Sequence, residues 1–144
     1  LLTATSAAST DSQVIAAAVA FGAVAAAAAG TVADNVLRPV TTAFISHSDI
    51  DAGEVVINAL GQQSGLSKTA ALSVSTGAST SAAKSSVISS ANVQASIGDD
   101  VDLVAKTLRV DAHSTDTLDM KALAASGGQF TGVAGAYTTL TISG

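Results

Sequence analysis

Cysteine and tryptophan are absent from this 144-residue chain, and proline (Pro39), methionine (Met120) and tyrosine (Tyr137) occur once each. Without cysteine there is no disulfide framework and no thiolate metal site. A single proline and no Gly-X-Y period exclude a collagen-type triple helix. Charged residues make up only 12% and aromatic residues 3% of the chain, whereas an ordinary globular domain is about a quarter charged. Six basic residues against eleven acidic ones argue against a nucleic-acid surface, which needs clustered Lys and Arg. Yet 48% of the residues are hydrophobic, which excludes simple disorder. Much of that fraction is alanine, and Ala, Gly, Ser and Thr together supply a little over half of the chain. Any core is therefore thin, built from small residues with scattered Val, Ile and Leu.

One uncharged stretch stands out, VIAAAVAFGAVAAAAAGTVA from Val14 to Ala33. Its length matches a transmembrane helix, but alanine is only weakly apolar. The nearest charges are Asp11 and Asp34, not the Lys or Arg that flank signal peptides and anchors. No membrane span is expected. A buried alanine-rich helix is a second reading, since alanine has the best helix propensity. The third is a pair of fully buried strands.

Internal repetition favours the strands. Thr41–Ala59 aligns with Val93–Ala112 at an offset of 52 to 53 residues. Ala43 and Ile45 fall on Ala95 and Ile97, Ile50 on Val101, and Val55, Ile57, Asn58 and Ala59 on Leu108, Val110, Asp111 and Ala112. Met120–Gly144 resembles Val14–Asn35, with Phe130 on Phe21 and Val133 on Val24. The chain thus reads as units of roughly 50 residues, approximately 1–60, 61–113 and an incomplete 114–144. Since the third unit stops before its Ala-x-Ile strand, a longer parent chain is expected on both sides. Period-2 alternation around Val55–Ala59, Thr107–Ala112, Leu118–Ala122 and Thr139–Ser143 predicts strands. The expected fold is all-β, a parallel β-solenoid (β-helix). Ile45, Val55, Ile57, Ile97, Leu108, Val110, Leu118, Met120, Leu140 and Ile142 form its inward rows, alanine lines the narrow interior, and Ser and Thr form the outer face.

The segments Ala43-Phe44-Ile45 with Val55–Ala59, and Ala95-Ser96-Ile97 with Leu108–Ala112, resemble the repeat region of large secreted bacterial filamentous adhesins of the haemagglutinin-like type. In that family an apolar Ala/Gly stretch precedes an A-Y/F-I strand, a polar turn and a V-x-V-x-A strand. This chain departs from the pattern at Val36–Pro39. The resemblance implies a β-helix shaft, exported from the cell, that holds an adhesive surface away from it.

Candidate chemistry is sparse. His47-Ser48-Asp49 and His113-Ser114-Thr115-Asp116 collect triad residue types, but a triad converges in space, usually from distant segments; surface turns are expected instead. Neither histidine sits in a metal-ligating pattern. Asp99, Asp100 and Asp102, with Asp49 and Asp51 in the preceding unit, form an acidic turn of the kind that offers oxygen ligands to calcium. It lacks EF-hand and nonapeptide spacing and reads as a solvated corner. A flat ice-binding threonine face through Thr138, Thr139 and Thr141 would be broken by Val56 and Asn58, or Arg109 and Asp111, on the strands taken as equivalent. Asn35, Asn58 and Asn92 lack the glycosylation pattern. Phe21, Phe44 and Phe130 read as packing residues, and Arg38-Pro39 as a corner.

The expectation is a non-catalytic shaft segment of an extracellular adhesin or surface fibre, with no cofactor. Its partners are neighbouring repeats, other copies in a fibre, and a host or matrix surface. The alternative is a self-assembling pilin-like subunit with Val14–Ala33 as a buried core helix.

Overall fold

The computed structural model describes residues 1–22 and 24–143; Ala23, inside the apolar run, and Gly144, at the end of the third unit, lie outside the described residues. Among the described residues eight strands follow one another: β1 (Leu2–Ala20), β2 (Ala26–Leu37), β3 (Val40–Ile45), β4 (Ser48–Ser75), β5 (Ala78–Ser90), β6 (Asn92–Ile97), β7 (Val101–Gly128) and β8 (Thr131–Ser143). No helix occurs among the described residues. The strands form three sheets, ordered β1-β4-β7, β2-β5-β8 and β3-β6, and every pairing is parallel. The protein is therefore all-β with parallel sheets, each strand lying on the one three elements earlier.

The register gives the repeat its length. Ala43 pairs with Ala95 and Ile45 with Ile97, and Val55, Ile57, Asn58 and Ala59 pair with Leu108, Val110, Asp111 and Ala112, as the sequence alignment had them. Two other matches move. Ile50 pairs with Leu103, while Val101 pairs with Ser48. Val133 pairs with Thr80 and through it with Ala28, so Val24 is not its equivalent. Both errors have a local cause. The turn after β3 has two residues, Ser46 and His47, whereas that after β6 has three, Gly98 to Asp100, so the offset steps from 52 (Ile45 on Ile97) to 53 (Ser48 on Val101) between Ile45 and Ile50. Near the apolar run, five positions separate β1 from β2 but only two separate β4 from β5, so the offset drops from 55 (Ala4 on Ala59) to 52 (Ala26 on Ala78).

The run Val14–Ala33 is not a helix. Its described residues finish β1, cross a turn and begin β2, which removes the element that the pilin alternative required. Alanine's helix propensity is a few tenths of a kcal/mol per residue, and it yields here to continuous ladders from Val14 to Ala20 on Thr69 to Ser75. Nor are these strands fully buried: Ile15 and Val19 are exposed.

The sheets face one another across a narrow interior. At the end of the molecule bearing the polar turns, Ala43, Val55, Ile57 and Ala59 form an apolar cluster flanked by Ile45, Ile50, Ala52, Ala95, Ile97 and Leu103. Elsewhere the expectation that Ser and Thr lie outside is overturned. Ser67, Ser73, Ser79, Ser85 and Ser89 are fully buried. Ser85 Oγ donates to the Ser67 carbonyl oxygen at 2.9 Å, Asn35 Nδ2 to the Leu66 carbonyl oxygen at 3.0 Å, and the Ser6 and Thr41 hydroxyls bond each other. The reason is space. A Cβ on Gly65 would lie within 3.3 Å of Leu37, Val87 and Leu118 side chains, so facing positions admit few large side chains together.

Candidate functional site

The acidic turn is built by backbone stacking. His47 (φ 50°) and Asp100 (φ 56°) both occupy the left-handed region, where most non-glycine residues pay a steric cost. The His47 amide donates to the Asp99 carbonyl at 3.2 Å and the Ser48 amide to that of Asp100 at 3.1 Å. The His47 imidazole lies 3.5 Å from the Asp100 carboxylate, both well exposed. Asp49 sits directly beneath Asp102, whereas Asp51 lies beneath Val104. Among the described residues no three His, Asp or Glu side chains are grouped to hold a metal ion; Asp99 and Asp100 are exposed in the turn, and Asp102 is exposed at the start of β7.

The triad residue types do not converge. Ser48 Oγ donates back to the Ser46 carbonyl oxygen at 2.9 Å. His113–Asp116 is not a turn, as the sequence suggested, but lies inside β7. Strand alternation then sends His113 and Thr115 outward, where they lie 3.1 Å apart, and turns Ser114 and Asp116 inward. Asp116 caps a polar cluster, accepting from Gln63 Nε2 at 2.8 Å and from Ser89 Oγ at 2.9 Å. Ser89 also donates to Gln63 Oε1 at 2.9 Å. Sequence reading missed this cluster because its members are 26 and 53 positions apart. Asp116→Ala is expected to cost about 1–3 kcal/mol, the penalty for stranding buried Gln63 and Ser89 partners, with Asp116→Asn losing less. Urea unfolding midpoints check this.

Thr139 and Thr141 point outward, but their true equivalents are Ser86 and Ile88, then Asp34 and Val36, so neither belongs to a threonine row. Phe21 and Phe130 are exposed beside the turns, and Phe44 is exposed on β3. Pro39 lies between β2 and β3 and accepts from the Asn92 amide at 3.0 Å.

The positions read as inward rows from sequence carry the geometry that remains. Val55 and Ile57 are buried; Ile45 and Ile97 pack against them; Leu118 and Met120 are half-buried. In register, Leu2, Ile57 and Val110 form one row. Ile57 is 0% exposed, while Leu2 and Val110 are 38% and 41% exposed. Leu108, Leu140 and Ile142 are likewise inward in register yet exposed. The difference lies in what covers them. The middle strand has neighbours on both sides, whereas β1 and β2 at one end and β7 and β8 at the other present open parallel edges. These edges combine unpaired backbone groups with half-covered apolar rows, which is a template for another strand.

Comparison with protein-family models, curated proteins and solved structures finds no match to this chain. The functional reading therefore rests on the stacked geometry.

Proposed function

We propose that this chain is a structural shaft segment of an extracellular filamentous adhesin or surface fibre, folded as a parallel β-solenoid whose passes stack on further passes or copies. The observation that carries the reading is the Leu2–Ile57–Val110 row, buried at its centre and open at both ends. The two open edges differ from each other, so their contact is heterologous and head-to-tail, and such contacts propagate as filaments when rotation does not close a ring. The mechanism is mechanical: backbone ladders continue from unit to unit, and each added pass buries the half-exposed row beneath it.

Electron microscopy and fibre diffraction of the purified chain test this. Concentration-dependent filaments with a reflection at about 4.8 Å along the axis are expected. Val110→Lys should leave the β-type circular dichroism intact, because that position is half-exposed, and abolish filaments by placing a charge in the stacking row. A chain that stays monomeric at all concentrations, or a Val110→Lys variant that still assembles, refutes the proposal.

A further inference from the structure

The molecule has two chemically opposite ends. Six of the eleven acids (Asp49, Asp51, Glu54, Asp99, Asp100 and Asp102) gather near the end with the polar turns. At the other end no charge occurs in 12–33, in 69–83 or from 122 onward. There, Val14 aside, the larger aliphatic side chains point out, not in. Ile15, Val19, Leu72, Val74, Leu123 and Val133 are exposed, while the inward positions between them hold Ala16, Ala18, Ala71, Ser73, Ala122 and Ala124. Large apolar side chains cover the outer face of β1, β4 and β7 and the tip, where Phe21 and Phe130 are 79% and 82% exposed; the opposite face is uncharged and carries Val133 among Ala, Gly and Thr.

A collar bounds this lobe. Lys68 and Lys121 stack in register, each seven residues before the end of its strand, at Ser75 and Gly128. On the opposite sheet Lys84 and Tyr137 stack in register, each six residues after the start of its strand, at Ala78 and Thr131. Three of the chain's four lysines therefore stand at one depth, about 20–25 Å from the tip at the rise of a strand. Asp34 lies 3.6 Å from Lys84, and Asp11 and Asp119 occupy the next outward row away from the tip.

We infer that this lobe seats in the hydrocarbon of an anionic lipid layer, with Lys68, Lys84, Lys121 and Tyr137 at the headgroups. A folded protein partner ordinarily covers one face, whereas an apolar face that continues around the tip to an uncharged opposite face matches a fluid phase. Lysine stems and a tyrosine ring at the boundary suit that interface, and the acidic end is held away from negative headgroups. Hydrocarbon does not tolerate open strand edges, so this seating rests on the stacking proposed above, which covers them.

Cosedimentation with phosphatidylcholine–phosphatidylglycerol vesicles is the test, with electron microscopy of the same samples. The wild-type chain should be captured, less so at high salt. Leu72→Asp or Ile15→Asp, with unchanged circular dichroism, should weaken capture about tenfold or more. Thr115→Asp, outward on β7 but away from the lobe, should not. Lys68→Glu with Lys121→Glu should reduce capture by the anionic vesicles and not by pure phosphatidylcholine. Filaments without capture overturn the lipid inference and leave the stacking intact; neither filaments nor capture overturns both. Capture that Leu72→Asp and Ile15→Asp leave unchanged overturns the inference, as does lipid-free oligomerisation through this face, abolished by Leu72→Asp, without vesicle binding.

Discussion

Replacing Ile57 by aspartate is expected to abolish cooperative folding, while the same change at Val110, one strand away in the same row, is tolerated. Ile57 is fully buried and packs with Ala43, Val55 and Ala59. Truncation to alanine alone should cost about 3 kcal/mol through lost burial and a residual cavity. An aspartate adds an unpaired charge in an apolar cluster, which costs several kcal/mol more. A chain of this size has a total stability of about 5–15 kcal/mol, so the variant should be largely unfolded by circular dichroism. Val110 faces the same way but is 41% exposed, and a carboxylate there stays hydrated. Equal losses at the two positions would mean that the edge row is already covered in the isolated chain.

The second large effect belongs to Gly77, where two turns touch. Conformation is not the constraint, since Gly77 is not among the positive-φ residues; the constraint is room. A Cβ there would collide with the Ala25 carbonyl oxygen and come within 3.1 Å of its carbon. That carbonyl accepts from the Ala78 amide at 3.2 Å, so relief would break the contact that stacks β5 on β2. The same turn is tied by Thr76 Oγ1 to the Gly22 carbonyl oxygen at 2.7 Å and by Ser75 Oγ to that of Ala78 at 2.7 Å. Gly77→Ala is expected to cost about 3 kcal/mol, the upper range for overpacking, because backbone must move. Gly127→Ala is the control: its Cβ would meet nothing within 4 Å, and alanine should stabilise the strand by about 0.5 kcal/mol. Urea denaturation of the two variants reads the difference.

These residues also mark how far sequence reading reaches. The offset of 52 to 53 was visible because Ala43-x-Ile45 and Ala95-x-Ile97 repeat a pattern in turn-bounded strands, and parallel stacking requires like positions to coincide. Gly77 gave no signal, because what it touches is a carbonyl 52 positions earlier. The Gln63–Ser89–Asp116 cluster was hidden for the same reason. The misplacement of Val133 came from the longer crossing between β1 and β2, across which the offset falls by three residues, from 55 to 52.

Alternation and the repeat offset therefore marked out the strands, their repeat and their stacking, since a period of 2 and an offset near 52 to 53 are properties of order along the chain. It did not establish which alternate set faces in. From Val14 to Ala20 the set Ile15, Ala17 and Val19 is more apolar than Val14, Ala16 and Ala18, so hydropathy alone favours the set that the structure turns outward. Packing chose. The opposing sheets lie too close for bulky side chains on both, so alanine and serine turned inward and Ile15, Val19, Leu72 and Leu123 were left on the surface. That inversion of the usual pattern, set by the distance between sheets, is what makes one end of the molecule an apolar lobe.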